Sequence, residues 1–383
     1  MIKFLKLSGI YRHFFPTIYQ SYIPNHESLN YEAHYRSLMQ LKIAEFDSYK
    51  TNLELLGGYE CVEIVMNDER LQKKWAAENK LKYNESNWKK EIAIAQIRQF
   101  QPNILLDSAR VFDSKDRNKL RKELNFDAVL SWDGVPFSNP KDVIDVDLVL
   151  TCIPSIVKKY NKQGTDAALL PFSFDHTILE AFDGQLKYNV SFCGSMMGKY
   201  HQMRSEVIEH LINNKVDIDL FIGNLGLKED WFSRAQLREL AKLNIGQFLK
   251  LTKFQSRNLG NVFGIEMYKT LAASKMTLNV HATNVHEAGN MRLIEAVGAG
   301  TCLVTDWKAN IKDYFIPDKE IVTFKTKEEA LEKINYLLAH EEERAAIAKA
   351  GQVKVLAEYT DLNRMKLLHQ LMETIRTKKS ISV

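Results

Sequence analysis

The stretch His286-Glu287-Ala288-Gly289-Asn290-Met291-Arg292-Leu293-Ile294-Glu295, followed by Ala296-Val297-Gly298-Ala299-Gly300 and the apolar run Thr301-Cys302-Leu303-Val304-Thr305, decides how this chain is read. A strand-like run, Met276–Val280, precedes it. Gly289-Asn290 marks a polar loop, Met291–Gly298 has helical character, and Cys302–Thr305 reads as another strand. Strand, loop, helix and strand in succession form the unit of a parallel sheet. The first-turn N–H groups of such a helix point at whatever occupies the loop, which suits an anion. A carboxylate one or two turns into the helix, here Glu295, can accept hydrogen bonds from hydroxyls. Together these features suggest a site for a nucleotide carrying a sugar.

The same rhythm extends in both directions. Ile2–Leu7, Cys61–Val65, Ile104–Asp107, Ala128–Trp132, Leu148–Cys152 and Ala168–Leu170 read as strands. Between them Tyr31–Leu56 reads as one long helix stopped by Gly57-Gly58, with further helices at Trp88–Phe100, Lys115–Leu124 and after Ser155. Pro171–Lys187 has no clear period and is taken as a connection. The alternation restarts with Val190–Cys193, Gln202–Asn213, Ile218–Ile222 and Ile265–Ala273. It ends in three helices, Lys327–Ala339, Glu341–Glu358 and Leu362–Thr377. Two doubly wound α/β domains are expected, residues 1–175 and 186–361, with residues 362–383 returning as a helix toward the first. In such sheets ligands bind beyond the carboxyl ends of the strands. The loops to watch are therefore Ser8–Asn30, Asp107–Ser114, Trp132–Asn139, Gly194–His201, Gly223–Glu229 and His281–Asn290.

With 383 residues, 45% of them hydrophobic and 26% charged, the chain has the composition of a two-domain globular protein. A formal net charge of +4 over this length does not argue for nucleic acid. Cys61, Cys152, Cys193 and Cys302 are far apart, and three lie in apolar runs, so buried reduced thiols are expected. No run reaches the roughly 18 apolar residues that span a bilayer. A cytoplasmic setting is the default. The basic tail Arg376-Thr377-Lys378-Lys379 offers a weak contact with the inner membrane face as an alternative to plain solvation.

Each candidate site residue has a structural reading beside the functional one. Gly194-Ser195-Met196-Met197-Gly198-Lys199 follows a strand and precedes a helix, so its backbone N–H groups can approach a phosphate, with Lys199 and Arg204 supplying cations. A plain glycine turn with surface cations reads the same residues. Glu295 either pairs with Arg292 three positions earlier or faces a ligand. Asp133, at the end of a strand, is either a base or sugar ligand or the turn-former of Asp133-Gly134. His281 and His286 flank the central loop, and His26 and His34 lie near the first; a lone histidine is more often structural or exposed. Neither the dinucleotide glycine fingerprint nor the P-loop motif occurs, and no His/Cys/Asp/Glu spacing makes a metal site.

Val190-Ser191-Phe192-Cys193-Gly194-Ser195, Leu278-Asn279-Val280-His281 and Asn290-x-Arg292-x-x-Glu295-Ala296-x-x-Ala299-Gly300 carry a resemblance. It continues through Glu320-Ile321-Val322, Glu343-Arg344-x-x-Ile347-Ala348-x-x-Gly351 and Tyr359-Thr360-x-x-x-Arg364. These segments resemble the C-terminal domain of GT-B glycosyltransferases, especially the spore-maturation-like group (the CgeB type), over about half the chain. The resemblance implies two Rossmann-like doubly wound parallel-sheet domains facing a cleft, and transfer of a sugar from a nucleotide-sugar donor to a glycan, lipid-linked, protein or small-molecule acceptor. It implies Glu287 against the donor sugar and Glu295 against the ribose. It places Lys199 and Arg204 on the diphosphate, with Gly194, Ser195, His281, Asn290 and Arg292 completing the donor site. The acceptor is expected on the first domain, with Asp133 as candidate base. No metal cofactor is implied, and Asp145-Val146-Asp147 lacks the context of a metal signature. A two-lobed binding protein without turnover, or a nucleotide-sugar epimerase, would share the fold.

Overall fold

The computed structural model describes residues 1–134, 143, 145–196, 198–223, 245–283 and 285–381. The chain divides into two compact units, Met1–Pro171 with Asp361–Val383, and Phe172–Thr360.

The first unit is a six-stranded parallel sheet. Its strands are β1 (Ile2–Ser8), β2 (Tyr59–Val65), β3 (Ile104–Asp107), β4 (Ala128–Trp132), β5 (Leu148–Thr151) and β6 (Ala167–Leu169), in the order β2-β1-β3-β4-β5-β6. Helices α1 (Tyr31–Gln40) and α2 (Ser48–Leu56) lead from β1 to β2, and α3 (Glu69–Glu78) and α4 (Trp88–Phe100) from β2 to β3. Then α5 (Ser114–Leu124) precedes β4, and α6 (Pro154–Lys162) precedes β6. Strand alternation sorts the core. Phe4, Leu106 and Leu130 face one side with Tyr49, while Leu5, Leu7, Leu105 and Val129 face the other with Ala93, Ile97 and Leu120. Residues 31–56 form two helices rather than the single one expected. Lys42, Ala44 and Asp47 take positive φ and turn the chain between them.

The second unit is a five-stranded parallel sheet ordered β11-β10-β9-β7-β8. Its strands are β7 (Tyr188–Gly194), β8 (Ile218–Ile222), β9 (Ser274–Asn279), β10 (Cys302–Asp306) and β11 (Val322–Phe324). The helices are α7 (Gln202–Asn213), α8 (Ile245–Gln255), α9 (Gly264–Ala272), α10 (Met291–Gly298), α11 (Lys327–Ala339) and α12 (Glu341–Glu358). The segment read as a bare connection contributes to this unit. Phe174 and Ile178 are buried in its core, and a 3-10 turn spans His176–Ala181.

The last helix, α13 (Asp361–Ile381), belongs to the first unit, where Met365, Leu368 and Met372 complete the core under Phe4 and Leu130. Its basic end is paired rather than simply solvated: Arg376 with Asp127 and Glu373, Lys378 with Asp166. No helix among the described residues is long and apolar enough to cross a membrane.

Candidate functional site

In the second sheet β7 is flanked by β8 on one side and β9 on the other, so the loops after β7 and β9 leave from a topological switch point, where open α/β sheets bind ligands. Arg204 of α7 ties these loops together. Its Nε and Nη2 donate to the Val280 carbonyl at 3.0 and 2.6 Å, and its Nη1 donates to the Ser195 carbonyl at 2.5 Å. Burial lowers its pKa to about 10, which leaves it charged at neutral pH. The Thr283 N–H donates to the Tyr200 carbonyl at 2.8 Å and adds a second tie. Gly194, at the end of β7, has the Arg204 guanidinium and the Phe192 ring against the place a Cβ would fill. Arg204 is thus a clamp between two strand-end loops. The side chain of Lys199 lies outside the described residues, as do Met197, Asn284 and the loop beyond Gly223.

His281 is 3% exposed. Its Nδ1 lies 2.7 Å from Asp306 Oδ1, and its backbone N–H donates to the same oxygen at 2.9 Å. Lys308 Nζ sits 3.1 Å from the other Asp306 oxygen and donates to the Val285 carbonyl at 2.7 Å. Burial alone would raise the Asp306 carboxyl, but the hydrogen bond and charge of His281, the charge of Lys308 and the His281 N–H bring it down to about 2. With Nδ1 held by a carboxylate, Nε2 is the ring nitrogen left for other work. It is buried without a hydrogen-bond partner among the described residues.

The N-terminus of α10 follows a glycine turn and has no acidic residue in its first turn. Gly289 precedes it at φ +147°, a conformation that favours glycine. Asn290 occupies the N-cap but makes no side-chain cap bond. Its amide instead exchanges bonds with Asn279 at the end of β9, at 2.8 and 3.3 Å. The first turn of α10 is therefore left without a side-chain cap. Asn310 pins the preceding loop, accepting from Ala288 N–H at 2.6 Å and donating to the Ala288 carbonyl at 3.0 Å. One turn into α10, Glu295 is 4% exposed and has both oxygens approached, by Arg292 Nη1 at 3.0 Å and by the Tyr268 hydroxyl at 3.2 Å. The Cys193 thiol, which burial pushes up to about 12, also feels the charges of Arg292 and Glu295, so the end of β7 lies beside them. Glu287 is half-buried in the loop before α10, and His286 is exposed.

Gly194, Ser195, Arg204, His281, Asn290, Arg292 and Glu295 therefore gather at the carboxyl ends of β7, β9 and β10. Asp306, Lys308, Asn310 and Tyr268 escaped the sequence reading, and Asn279 entered it only as part of the resembling segment Leu278-Asn279-Val280-His281. Asp306 carried a usable signal, a carboxylate at the end of the apolar run Cys302–Thr305, the same feature that singled out Asp133. Asp133 lies in the first unit and is 1% exposed. Arg110 Nη2 is 3.0 Å from one of its oxygens, and the Tyr160 hydroxyl donates to the other at 2.6 Å. Arg110 also donates to the Trp132 carbonyl at 3.0 and 2.8 Å, which ties the Asp133 carboxylate to the end of β4. Asp147 is likewise structural, accepting from Arg121 at 2.8 Å and from the Val129 N–H at 2.6 Å. Among the described residues no group of three or more His, Cys, Asp or Glu is placed to hold a metal ion.

Comparison with known proteins adds two findings to this geometry. Residues 228–370, which include β9, α10, β10 and the whole loop between β9 and α10, match the family model described as "Glycosyl transferase-like". That stretch is similar to glycosyl transferase domains over somewhat more than a third of the chain. Solved GT-B glycosyltransferase structures share its two-sheet fold over nearly their whole length. A glycosyltransferase from Rickettsia africae aligns at TM-score 0.58 and 11% identity, covering 98% of both chains. Anabaena HepE in complex with UDP-glucose aligns at TM-score 0.61 and 10% identity, over 98% of this chain and 100% of its own. Sucrose-phosphate synthase from Thermosynechococcus elongatus aligns at 0.59 and 10%, over 99% and 100%. No curated protein sequence matches the chain. The domain match and the GT-B fold support an enzyme of the glycosyltransferase class.

Proposed function

We propose that the protein transfers a sugar from a nucleotide-sugar donor held by the glycosyl transferase-like unit to a hydroxyl acceptor on the first unit. Within the GT-B class we place it with the spore-maturation-like (CgeB-type) group, on the segments around Asn279, His281 and Asn290–Gly300. One observation carries the reading. The α10 N-terminus has no side-chain cap, and the unpartnered Nε2 of His281 and the buried carboxylate of Glu295 accompany it at the same end of the sheet.

In this reading the donor diphosphate lies against the first-turn N–H groups of α10 and the glycine loop Gly194-Ser195. Helix N–H groups, the macrodipole and nearby cations stabilise the departing diphosphate without a metal. Arg204 holds the two loops in register for this and adds its charge, with Lys199 as the second cation. Glu295 accepts from the ribose hydroxyls, and its partners Arg292 and Tyr268 fix it there. His281 Nε2 meets a donor hydroxyl, and Glu287 approaches the sugar. The acceptor oxygen then bonds to the anomeric carbon while the bond from that carbon to the diphosphate breaks. The hydroxyl proton leaves to the departing phosphate oxygen or to a carboxylate at the site. Asp133, with both oxygens already engaged, braces the acceptor unit rather than taking that proton. The UDP and UDP-glucose complexes of Anabaena HepE, on the same fold, favour a uridine diphosphate sugar as the first donor to try.

The test is a thermal-shift panel of UDP-, GDP-, dTDP- and CMP-linked sugars, followed by measurement of released nucleoside diphosphate. At least one donor should raise the melting temperature, because a ligand of the native state stabilises it. If no nucleotide or nucleotide-sugar in the panel binds, the proposal fails. A tight complex with no release in the presence of any acceptor would favour a binding protein instead.

A further inference from the structure

The first unit has its own switch point. β1 lies between β2 and β3 in the sheet, and the chain leaves their carboxyl ends into three separate loops. Beyond these ends opens a cavity of about 1190 Å³, lined from the segments after β1, β2 and β3 and from the start of α4. That exceeds the roughly 300–1,000 Å³ of an ordinary small-molecule site.

Its electrostatics are lopsided. Arg12, Arg70, Lys73, Lys89 and Lys90 line it against only two carboxylates, Asp68 and Glu69. Lys73 is taken up by Glu69 and Glu85, and Lys90 by Asp116. The Asp68 carboxylate is committed within the fold: it accepts from the Tyr19 hydroxyl and, at 3.1 Å, from the Leu71 N–H at the start of α3. Arg12, Arg70 and Lys89 make no ion pair with a carboxylate among the described residues, although Asp68 feels the charge of Arg70, so the cavity wall carries an excess of positive charge. Aromatic groups are interleaved with them. The Arg70 guanidinium lies 4.4 Å from the Tyr19 ring centre, and Lys89 Nζ lies 5.9 Å from that of Trp88. Phe15 adds a third ring to the wall. Cations set among ring faces suit a ligand with an anionic group beside a ring or apolar portion.

We infer that this cavity takes the acceptor and that the acceptor bears a phosphate or diphosphate ester, bound by Arg12, Arg70 and Lys89, with its neighbouring sugar or apolar group against Phe15, Tyr19 and Trp88. The inference rests on the transferase reading, since it names the chemistry of that reaction's acceptor. The phosphate could be carried by a soluble sugar phosphate or by a lipid headgroup, and the test separates the two.

The full chain is titrated with inorganic pyrophosphate while tryptophan fluorescence is followed, Trp88→Phe identifying the signal from this cavity. A saturable Trp88 response is expected, and the triple variant R12Q/R70Q/K89Q should weaken it at least about tenfold. The same variant should keep its thermal shift with nucleotide, which belongs to the other unit. Glucose 1-phosphate that competes with pyrophosphate for the Trp88 response points to a soluble acceptor. Flotation with phosphatidylcholine vesicles containing phosphatidic acid, lost in the triple variant and absent without phosphatidic acid, points to a lipid-borne one. No Trp88 response, or equal affinity in the triple variant, overturns the inference. The transferase reading fails separately, by an absence of nucleotide binding.

Discussion

Two side chains carry the donor site at the scale of single residues. Glu295 is buried with Arg292 and Tyr268 approaching its oxygens, an arrangement that serves either a structural pair or a ligand contact. Glu295→Gln separates these roles because it keeps the shape and removes the charge. Nucleotide binding by calorimetry should weaken by about 1.5–3 kcal/mol, the range for a hydrogen bond to a charged group. A lowered melting temperature with unchanged affinity would reduce Glu295 to a structural residue. Asp306 orients His281, so Asp306→Asn should lower the transfer rate while leaving nucleotide affinity nearly intact, since the His281 ring loses its anchoring carboxylate but not its place. Asp306 has a second consequence. Its folded pKa, about 2, lies below the ordinary value of 3.8, so the stability it contributes is present above pH 3.8 and is lost as pH falls toward 2. A shift of this size corresponds to about 2 kcal/mol.

Among the elements, α10 is placed by close packing as much as by its hydrogen bonds. A Cβ on Gly298 would stand 2.5 Å from the Phe174 ring, so Gly298→Ala forces that ring or the helix to move. Over-packing of this kind costs about 1–3 kcal/mol, and urea denaturation should show it. Phe174→Leu should recover part of the loss in the double variant, because the two side chains share one space. Helix α13 is the second element with a clear test. Met365, Leu368 and Met372 are wholly buried in the first unit's core, and Arg364 is buried over the Tyr49 and Trp132 rings. Ending the chain at Thr360 should therefore destabilise the first unit. Limited proteolysis should cut residues 1–171 of the truncated chain well before residues 172–360.

Taken whole, the molecule holds in each unit a histidine whose pKa burial lowers to about 4, His34 in the first and His201 in the second. His34 in the first unit is fully buried, with Nε2 3.1 Å from the Tyr19 hydroxyl, and burial followed by the charge of Lys74 lowers its pKa from 6.5 to about 4. A lowered folded value means the neutral ring is the one the fold accepts. Its contribution is complete above pH 6.5 and drains away as pH falls toward 4. Up to about 3 kcal/mol is at stake for a shift of this size. The urea midpoint of the first unit, followed by probes in each unit, should drop over that window, and His34→Gln should flatten the drop. If His34→Gln leaves the first unit's drop below pH 6.5 unchanged, the assignment to His34 is wrong.

The alternation of strands and helices was legible in the amino acids, because apolar runs of four to seven residues and amphipathic helices carry periods that any neighbours would impose. So was the loop from His286 to Glu295, where Gly289, Asn290 and the helical run announce a helix N-terminus. The break in residues 31–56 was not. Lys42, Ala44 and Asp47 adopt positive φ without a glycine to signal it, and the amphipathic pattern runs on across them. Asp133 read as a chemical group because it ends a strand, yet Arg110, 23 positions earlier, and Tyr160, 27 later, occupy its oxygens. Asp306 ends a strand in the same way, and for the same reason its pairing was not legible. Its partner His281 is 25 positions away and becomes a neighbour only when Thr305 pairs with Asn279 in the parallel sheet. Local pattern thus determined the elements and the class of fold, since those depend on neighbours along the chain. Which charged side chains are spent on the fold and which are left for a ligand was decided by tertiary structure, because a buried charge is settled by whatever the folded chain brings within hydrogen-bond reach.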